Sequence, residues 1–375
     1  MIKKMFKLTR FLYNEEEVKL SLIASILTKK NIFECYYWFS ELYYSKIDVC
    51  DIIWEMYLDY YALITPKFEF YISKKINEWK QTGDITPLLY IIKNLHILKH
   101  DCNVFILREI YNTPDLQQSY IYRLSKQDKH LYPLLVSIKK EYWIDICYYL
   151  KKLIKNGILV NLDSYKIYES IIDKFSLDDN TKLREIWNLR IDNRDYHYIL
   201  RVICSLKLNK IIVNTKTLYV SPKMEDINDI KLIEEESIPL TSSGNNQIYR
   251  TLEYKRQFKI DENIGAFKLA RFSISNYKEE NYNWEYYCSF TPLWKDRIQF
   301  YNGTINEEKK CIEFDNDESL ESFYEEYGYE LDEQSKEVQD YSLLDIEERN
   351  YTEWFNYINC DLIGDVVLPD NFNLK

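Results

Sequence analysis

The chain has 375 residues, of which 46% are hydrophobic and 29% are charged, a globular composition that excludes an intrinsically disordered chain. This length exceeds one ordinary hydrophobic core and predicts two domains. Residues 1–300 carry 44 Lys and Arg against 39 Asp and Glu, whereas residues 301–375 carry 5 against 21. The net charge of −11 argues against a general nucleic-acid binder, but the acidic end can screen or dock on a basic face.

The first two hundred residues show apolar side chains at a helical period. The period predicts helices at about 15–28, 33–44, 45–61, 66–79 and 87–98, and then at 141–156, 164–175, 181–190 and 193–206. Helix starts are also expected at four Thr-Pro pairs, because Thr can cap a helix and Pro loses no hydrogen bond at the first helical position. These pairs are Thr65-Pro66, Thr86-Pro87, Thr113-Pro114 and Thr291-Pro292.

The pattern changes after residue 208. Residues 211–213 and 218–220 are short strand-like runs, and residues 223–247 are polar and acidic, as in a long loop. Alternating stretches at 247–260 and 266–277 predict a β-hairpin around 261–265. A helix after Pro292, a strand at 311–314 and an acidic helix at 319–327 follow.

Together these elements predict a mainly α fold. We expect an irregular α-helical hairpin array, comparable to HEAT or TPR arrays, over residues 1–208, and a single large helical bundle is the alternative. A smaller α+β domain over 209–316 and an acidic C-terminal segment over 317–375 complete the predicted organisation.

Aromatic residues are concentrated between residues 33 and 79, in three consecutive predicted helices. Tyr and Trp suit partner-binding surfaces as well as half-buried helix faces. The first hypothesis is therefore a non-enzymatic interaction or scaffold protein that binds a protein partner. Its predicted partner-binding residues are Tyr37, Trp38, Tyr44, Trp54 and Tyr61.

The alternative is an RNA- or DNA-binding accessory factor. Basic side chains interleaved with aromatic ones between residues 250 and 297 suit a surface that follows a phosphate backbone and stacks on bases. The predicted nucleic-acid-binding residues are Arg250, Arg256, Lys259, Arg271, Trp284, Trp294 and Arg297.

Enzyme motifs are missing from the sequence. There is no GxSxG, no phosphate-binding glycine loop and no HExxH glutamate beside His96 and His100, which share a predicted helix face near Cys102. We therefore predict no catalytic residues, no metal and no cofactor, and an enzyme of unrecognised type is the third hypothesis. Eight cysteines without a CxxC pair, no signal peptide and no membrane-spanning run predict a reducing intracellular compartment.

Five phrases in the sequence resemble a group of conserved, uncharacterised proteins of giant DNA viruses related to mimivirus. These phrases are FLYNEEEV (11–18), ECYYWFSELYYS (34–45), WEMYLDYYALITP (54–66), NWEYYCSFTPLWKDRI (283–298) and YGYELDEQ (327–334). The resemblance implies a viral protein located in the host cytoplasm, in the viral factory or the virion. It implies no catalytic residue.

Overall fold

The computed structural model describes residues 7–10, 13–119, 131–155, 199–201, 203–204, 219–234 and 283–327. These residues are mainly helical, as predicted, and the N-terminal helical array is confirmed. The helices are α1 (Glu15–Leu27), α2 (Ile32–Tyr44), α3 (Val49–Tyr60), α4 (Phe68–Thr82), α5 (Thr86–Ile97), α6 (Asn103–Asn112), α7 (Tyr132–Lys140), α8 (Trp143–Lys155), α9 (Met224–Glu234), α10 (Trp284–Cys288), α11 (Pro292–Phe300) and α12 (Asp317–Tyr327). The strands are β1 (Gly303–Asn306) and β2 (Cys311–Phe314).

The described residues divide into two compact units, and each unit is built from separate stretches of the sequence. The first unit comprises residues 7–10, 13–52, 81–97, 220–234 and 283–327. The second unit comprises residues 53–80, 98–119, 131–155, 199–201, 203–204 and 219. The organisation predicted from the sequence, with an array over 1–208, an α+β domain over 209–316 and an acidic segment over 317–375, stays a prediction.

Three predictions about secondary structure are wrong. Residues 219–220, which belong to the strand-like run predicted at 218–220, have no regular secondary structure. Residues 224–234 form α9, although the sequence predicts a long loop there. The Thr113-Pro114 pair ends α6 and does not open a helix, because the residues from 114 to 119 are not helical. The predicted helices between 156 and 198 and the hairpin around 261–265 lie outside the described residues.

The first unit begins with a helical hairpin. Asn14 caps α1, because its Oδ1 accepts the backbone N–H of Glu16 at 2.8 Å, and Asn31 caps α2 in the same way. The turn between them closes with Lys29 in the left-handed region (φ 55°), where Lys30 N–H donates to Ser25 O at 3.0 Å. Helix α1 packs on α2, and α2 also packs on α5 and α9.

The last part of the first unit is the C-terminal module, residues 283–327. Strands β1 and β2 pair antiparallel, with Gly303 opposite Phe314 and Asn306 opposite Cys311. The buried core of the module consists of Leu8, Cys288, Trp294, Ile298 and Phe323. Leu8 lies near the start of the described sequence, so a residue outside the module completes its core.

Residues 8–10 connect this module to α2. Thr291 Oγ1 donates to the backbone oxygen of Leu8 at 2.5 Å, and Trp294 Nε1 donates to that of Thr9 at 3.0 Å. On the other side, the guanidinium of Arg10 lies 3.5 Å from the carboxylate of Glu41, and both side chains are almost fully buried. The desolvation of both groups offsets much of the attraction in such a pair, whereas removing one partner is strongly destabilising.

The second unit packs α8 against α6 and α7. Tyr60 stacks on Phe105 with ring centroids 5.2 Å apart. Arg108 donates to both oxygens of the buried carboxylate of Asp59, from Nε to Oδ1 at 3.0 Å and from Nη2 to Oδ2 at 2.8 Å. Lys cannot reproduce this bidentate geometry.

Another buried ion pair of the second unit joins Arg201 to Glu69 at 3.0 Å. Arg201 lies in the short helical stretch 199–201, and Glu69 lies in the first turn of α4. The pair therefore fixes that stretch to the beginning of α4.

In the ranges that the structure describes, no helix combines the length and the apolar character needed to cross a bilayer.

Candidate interaction surfaces

The predicted partner-binding residues lie mostly in the core. Tyr37 and Trp38 are each 1% exposed, Tyr44 is 9% exposed and Tyr61 is fully buried. Trp54 is half-buried and packs edge-on against Tyr57. We therefore place the four buried rings in the core rather than on a binding surface. Helical periodicity does not distinguish a ring between helices from a ring that faces solvent.

The nucleic-acid-binding residues fall into two groups. Arg250, Arg256, Lys259 and Arg271 lie outside the described residues, so their role stays a prediction. Trp284 begins α10.

Trp294 and Arg297, also predicted to bind nucleic acid, have structural roles. Trp294 is fully buried, and its only polar atom donates to Thr9. Arg297 lies over the rings of Trp294 (4.7 Å) and Tyr327 (4.6 Å). A buried indole is not a platform for stacking bases.

The histidines and Cys102 have structural partners. His96 Nε2 lies 2.7 Å from the backbone oxygen of Lys30, and the ring of His100 packs near that of Tyr61. Cys102 takes part in a disulfide, unlike the reduced thiol that the sequence predicts. Among the described residues, no group of three or more His, Cys, Asp or Glu side chains is placed to hold a metal ion.

Several free thiols are also buried. Burial raises the pKa of Cys35 to about 12, and it raises the pKa of Cys147, Cys204 and Cys288 in the same direction. The thiolate is the nucleophilic form, so these groups are protonated and unreactive at neutral pH. They act as small apolar core residues.

An acidic surface covers residues 303–327 of the C-terminal module. This stretch contains nine Asp and Glu side chains and two Lys side chains, and all nine acidic residues are exposed. Ile305 and Leu320 in the same stretch are 36% and 39% exposed, and Phe300 just before it is 77% exposed. Among these, the largely exposed aromatic ring of Phe300 is the side chain best suited to anchor a partner.

A second surface of the first unit is already occupied by the chain itself. We call residues 220–234 the strap; it has no regular secondary structure up to residue 223 and then forms α9. Asn94 of α5 binds the start of the strap through both ends of its amide. Its Oδ1 accepts the N–H of Val220 at 2.9 Å, and its Nδ2 donates to the oxygen of Val220 at 3.0 Å.

No protein family model, curated protein or solved structure matches the chain, so these surfaces are described from this structure alone.

Proposed function

We propose that this protein is a non-enzymatic interaction or scaffold protein of a large DNA virus, and that it docks a basic protein partner on its acidic surface. The exposure of all nine carboxylates between residues 303 and 327, next to exposed apolar side chains, carries the proposal. The viral origin and a location in the viral factory or virion follow from the resemblance of the sequence phrases. The binding surface differs from the aromatic surface expected from the sequence.

Charge and apolar contact have separate roles on this surface. A concentration of one sign of charge speeds encounter with a partner of the opposite sign and disfavours acidic partners. Affinity comes mainly from a few apolar or aromatic anchors that lose their water on binding. Phe300, at 77% exposure, is the largest such anchor next to the carboxylates.

The surface rests on a packed aromatic core. The guanidinium of Arg297 of α11 lies over the rings of Trp294 and of Tyr327 of α12, within 4.7 Å of each centroid. Tyr327 also packs against Phe323 and Trp294. Because the acidic helix is held against a packed core, little conformational freedom is lost when a partner binds.

The test measures binding of a fluorescently labelled, lysine-rich peptide that contains one tryptophan. The full chain is titrated into the peptide, and binding is recorded as fluorescence anisotropy at several salt concentrations. Charge reversal by Glu321→Lys and Glu325→Lys together should weaken binding about tenfold, and Phe300→Ala should weaken it about fivefold without changing the salt dependence. The matched control is Glu225→Lys with Asp229→Lys, another exposed acidic pair four residues apart on a helix.

Equal weakening by the two charge reversals would show that only net charge matters and would overturn the proposal. The absence of peptide binding at low salt would overturn it as well. Binding of a single-stranded oligonucleotide that survives deletion of residues 317–348 would instead favour the nucleic-acid alternative.

A further inference from the structure

We propose that the face formed by α2 and α5 is a peptide-binding surface, and that the strap occupies it in cis as a replaceable ligand. The partner that fits this face is a segment that begins with a few non-helical residues, whose backbone binds Asn94, and continues into a short amphipathic helix. The inference concerns a different surface from the acidic one and does not depend on the proposed function.

The first observation is that the side chain of Asn94 hydrogen-bonds to the backbone of the strap. Asn94 is 2% exposed, and its amide satisfies both backbone groups of Val220 while a further bond from Nδ2 reaches Tyr90 O at 2.7 Å. These contacts recognise the peptide backbone rather than the side chain, and the side chain of Val220 is left 41% exposed. Any residue except proline can therefore replace Val220 at this position, since proline has no N–H.

The second observation is how few side chains anchor the rest of the strap. Pro222 is buried, and Ile227 and Ile230 are three residues apart on α9, at 3% and 0% exposure. Met224 is 70% exposed. These positions define a short sequence pattern: a proline two residues after Val220, then two apolar residues on one helix face.

The third observation is a charged contact at the end of the pattern. Lys231 Nζ lies 2.8 Å from the carboxylate of Asp84, and both side chains are more than 40% exposed. Such an exposed pair adds little affinity but selects a basic residue next to the second apolar anchor.

The fourth observation is a hydroxyl that the strap leaves unused. Tyr36 of α2 is fully buried, and among the described residues its hydroxyl has no hydrogen-bond partner. Burial raises the pKa of Tyr36, and the carboxylate of Asp226 on the strap raises it further. A buried donor without an acceptor is unfavourable, so a ligand that supplies an acceptor here can compete with the strap.

The proposal is tested with a labelled synthetic peptide of residues 219–234 and the full chain. Substituting Ile227→Asp with Ile230→Asp should release the strap, and this variant should bind the peptide at least tenfold more tightly than the unaltered chain does. Adding Asn94→Ala to the released variant should weaken binding at least tenfold. A peptide that is N-methylated at Val220 should lose binding to the same extent, whereas a Val220→Ala peptide should bind as before.

Failure of the folded, released variant to bind the peptide would overturn the proposal, as would binding that ignores Asn94→Ala and N-methylation. If the released variant does not fold, amide hydrogen exchange of the unaltered chain tests the proposal instead. The amides of the strap should exchange at least tenfold faster than those of α2 and α5. Equal protection would make the strap an integral part of the core and would refute the inference.

Discussion

Asp101 gives the sharpest prediction, because its carboxyl is almost fully buried. It is 1% exposed, and its Oδ1 accepts the backbone N–H of Asn103 at 2.9 Å and the side-chain amide of Asn103 at 3.3 Å. Its Oδ2 has no hydrogen-bond partner within the described residues. Burial raises the pKa of Asp101 from 3.8 to about 6, and the bonds from Asn103 oppose this rise.

The consequence for stability follows from proton binding. The folded state holds the proton of Asp101 more tightly than the unfolded state, so the free energy of unfolding falls as the pH rises from about 4 to about 6. Each tenfold change in proton affinity is worth about 1.4 kcal/mol, so the charged side chain destabilises the fold by about 3 kcal/mol at pH 7.5. Asp101→Asn removes this charge and keeps the acceptor, but its new buried NH2 costs about 1 kcal/mol.

We therefore expect Asp101→Asn to raise the free energy of unfolding by about 2 kcal/mol at pH 7.5 and to give no gain at pH 4. Urea denaturation of both proteins at the two pH values measures the difference. The control is Asp315→Asn, an exposed aspartate between β2 and α12, which should change stability by less than about 0.5 kcal/mol at either pH. Destabilisation at pH 7.5, or an equal gain at both pH values, would refute the reasoning.

Three further substitutions test the packing. Trp38→Ala should destabilise by about 3–5 kcal/mol in thermal or urea denaturation, because it empties a fully packed site. Glu69→Ala should cost about 3–5 kcal/mol, since it leaves the Arg201 guanidinium buried without its carboxylate, and Glu69→Leu with Arg201→Met should recover most of that loss. Gly303→Ala should cost about 1–3 kcal/mol, because an added Cβ would lie 2.8 Å from a methyl group of Ile298.

Each of these predictions has its own control or contrary outcome. Trp54→Ala should be milder than Trp38→Ala, as Trp54 is half-buried; equal losses would contradict the core assignment. A Glu69→Ala variant as stable as the native chain would show that the ion pair adds nothing. For Gly303, the exposed neighbouring change Thr304→Ala should be close to neutral, and a similar loss there would point to strand propensity instead of crowding.

The helices that the sequence predicts correctly have strong local signals. Helices α1, α2, α4, α5 and α8 each combine an apolar period with a recognisable beginning, such as the Glu residues after Asn14 or Pro87 within the first turn of α5. Helix α9 was missed because its apolar side is narrow, with Ile227 and Ile230 as its fully described anchors. Helix α9 packs against α2. A contact with a helix so distant in the sequence leaves no signal in the local periodicity.

Helix ends and ring placement were harder to predict for physical reasons. Three helix ends close in the left-handed region at Lys29, Lys46 and Glu141, where a glycine is the usual signal. In each case the following N–H donates to an oxygen five residues earlier, for example Ile47 to Leu42 at 3.2 Å. Tyrosine suits both core and surface, so the sequence alone could not show that Tyr37 belongs to the core and that Phe300 faces solvent.

The contacts of residues 8–10 set an order for biosynthesis. Leu8 and Thr291 are separated by 283 residues, which a ribosome that adds about 5–20 residues per second takes roughly 15–60 s to translate. For most of that interval the side chain of Leu8 is outside the ribosome, while Trp294 has not yet been made. The core of the C-terminal module can therefore close only late in biosynthesis, and a substitution near Leu8 affects a part of the protein that folds late.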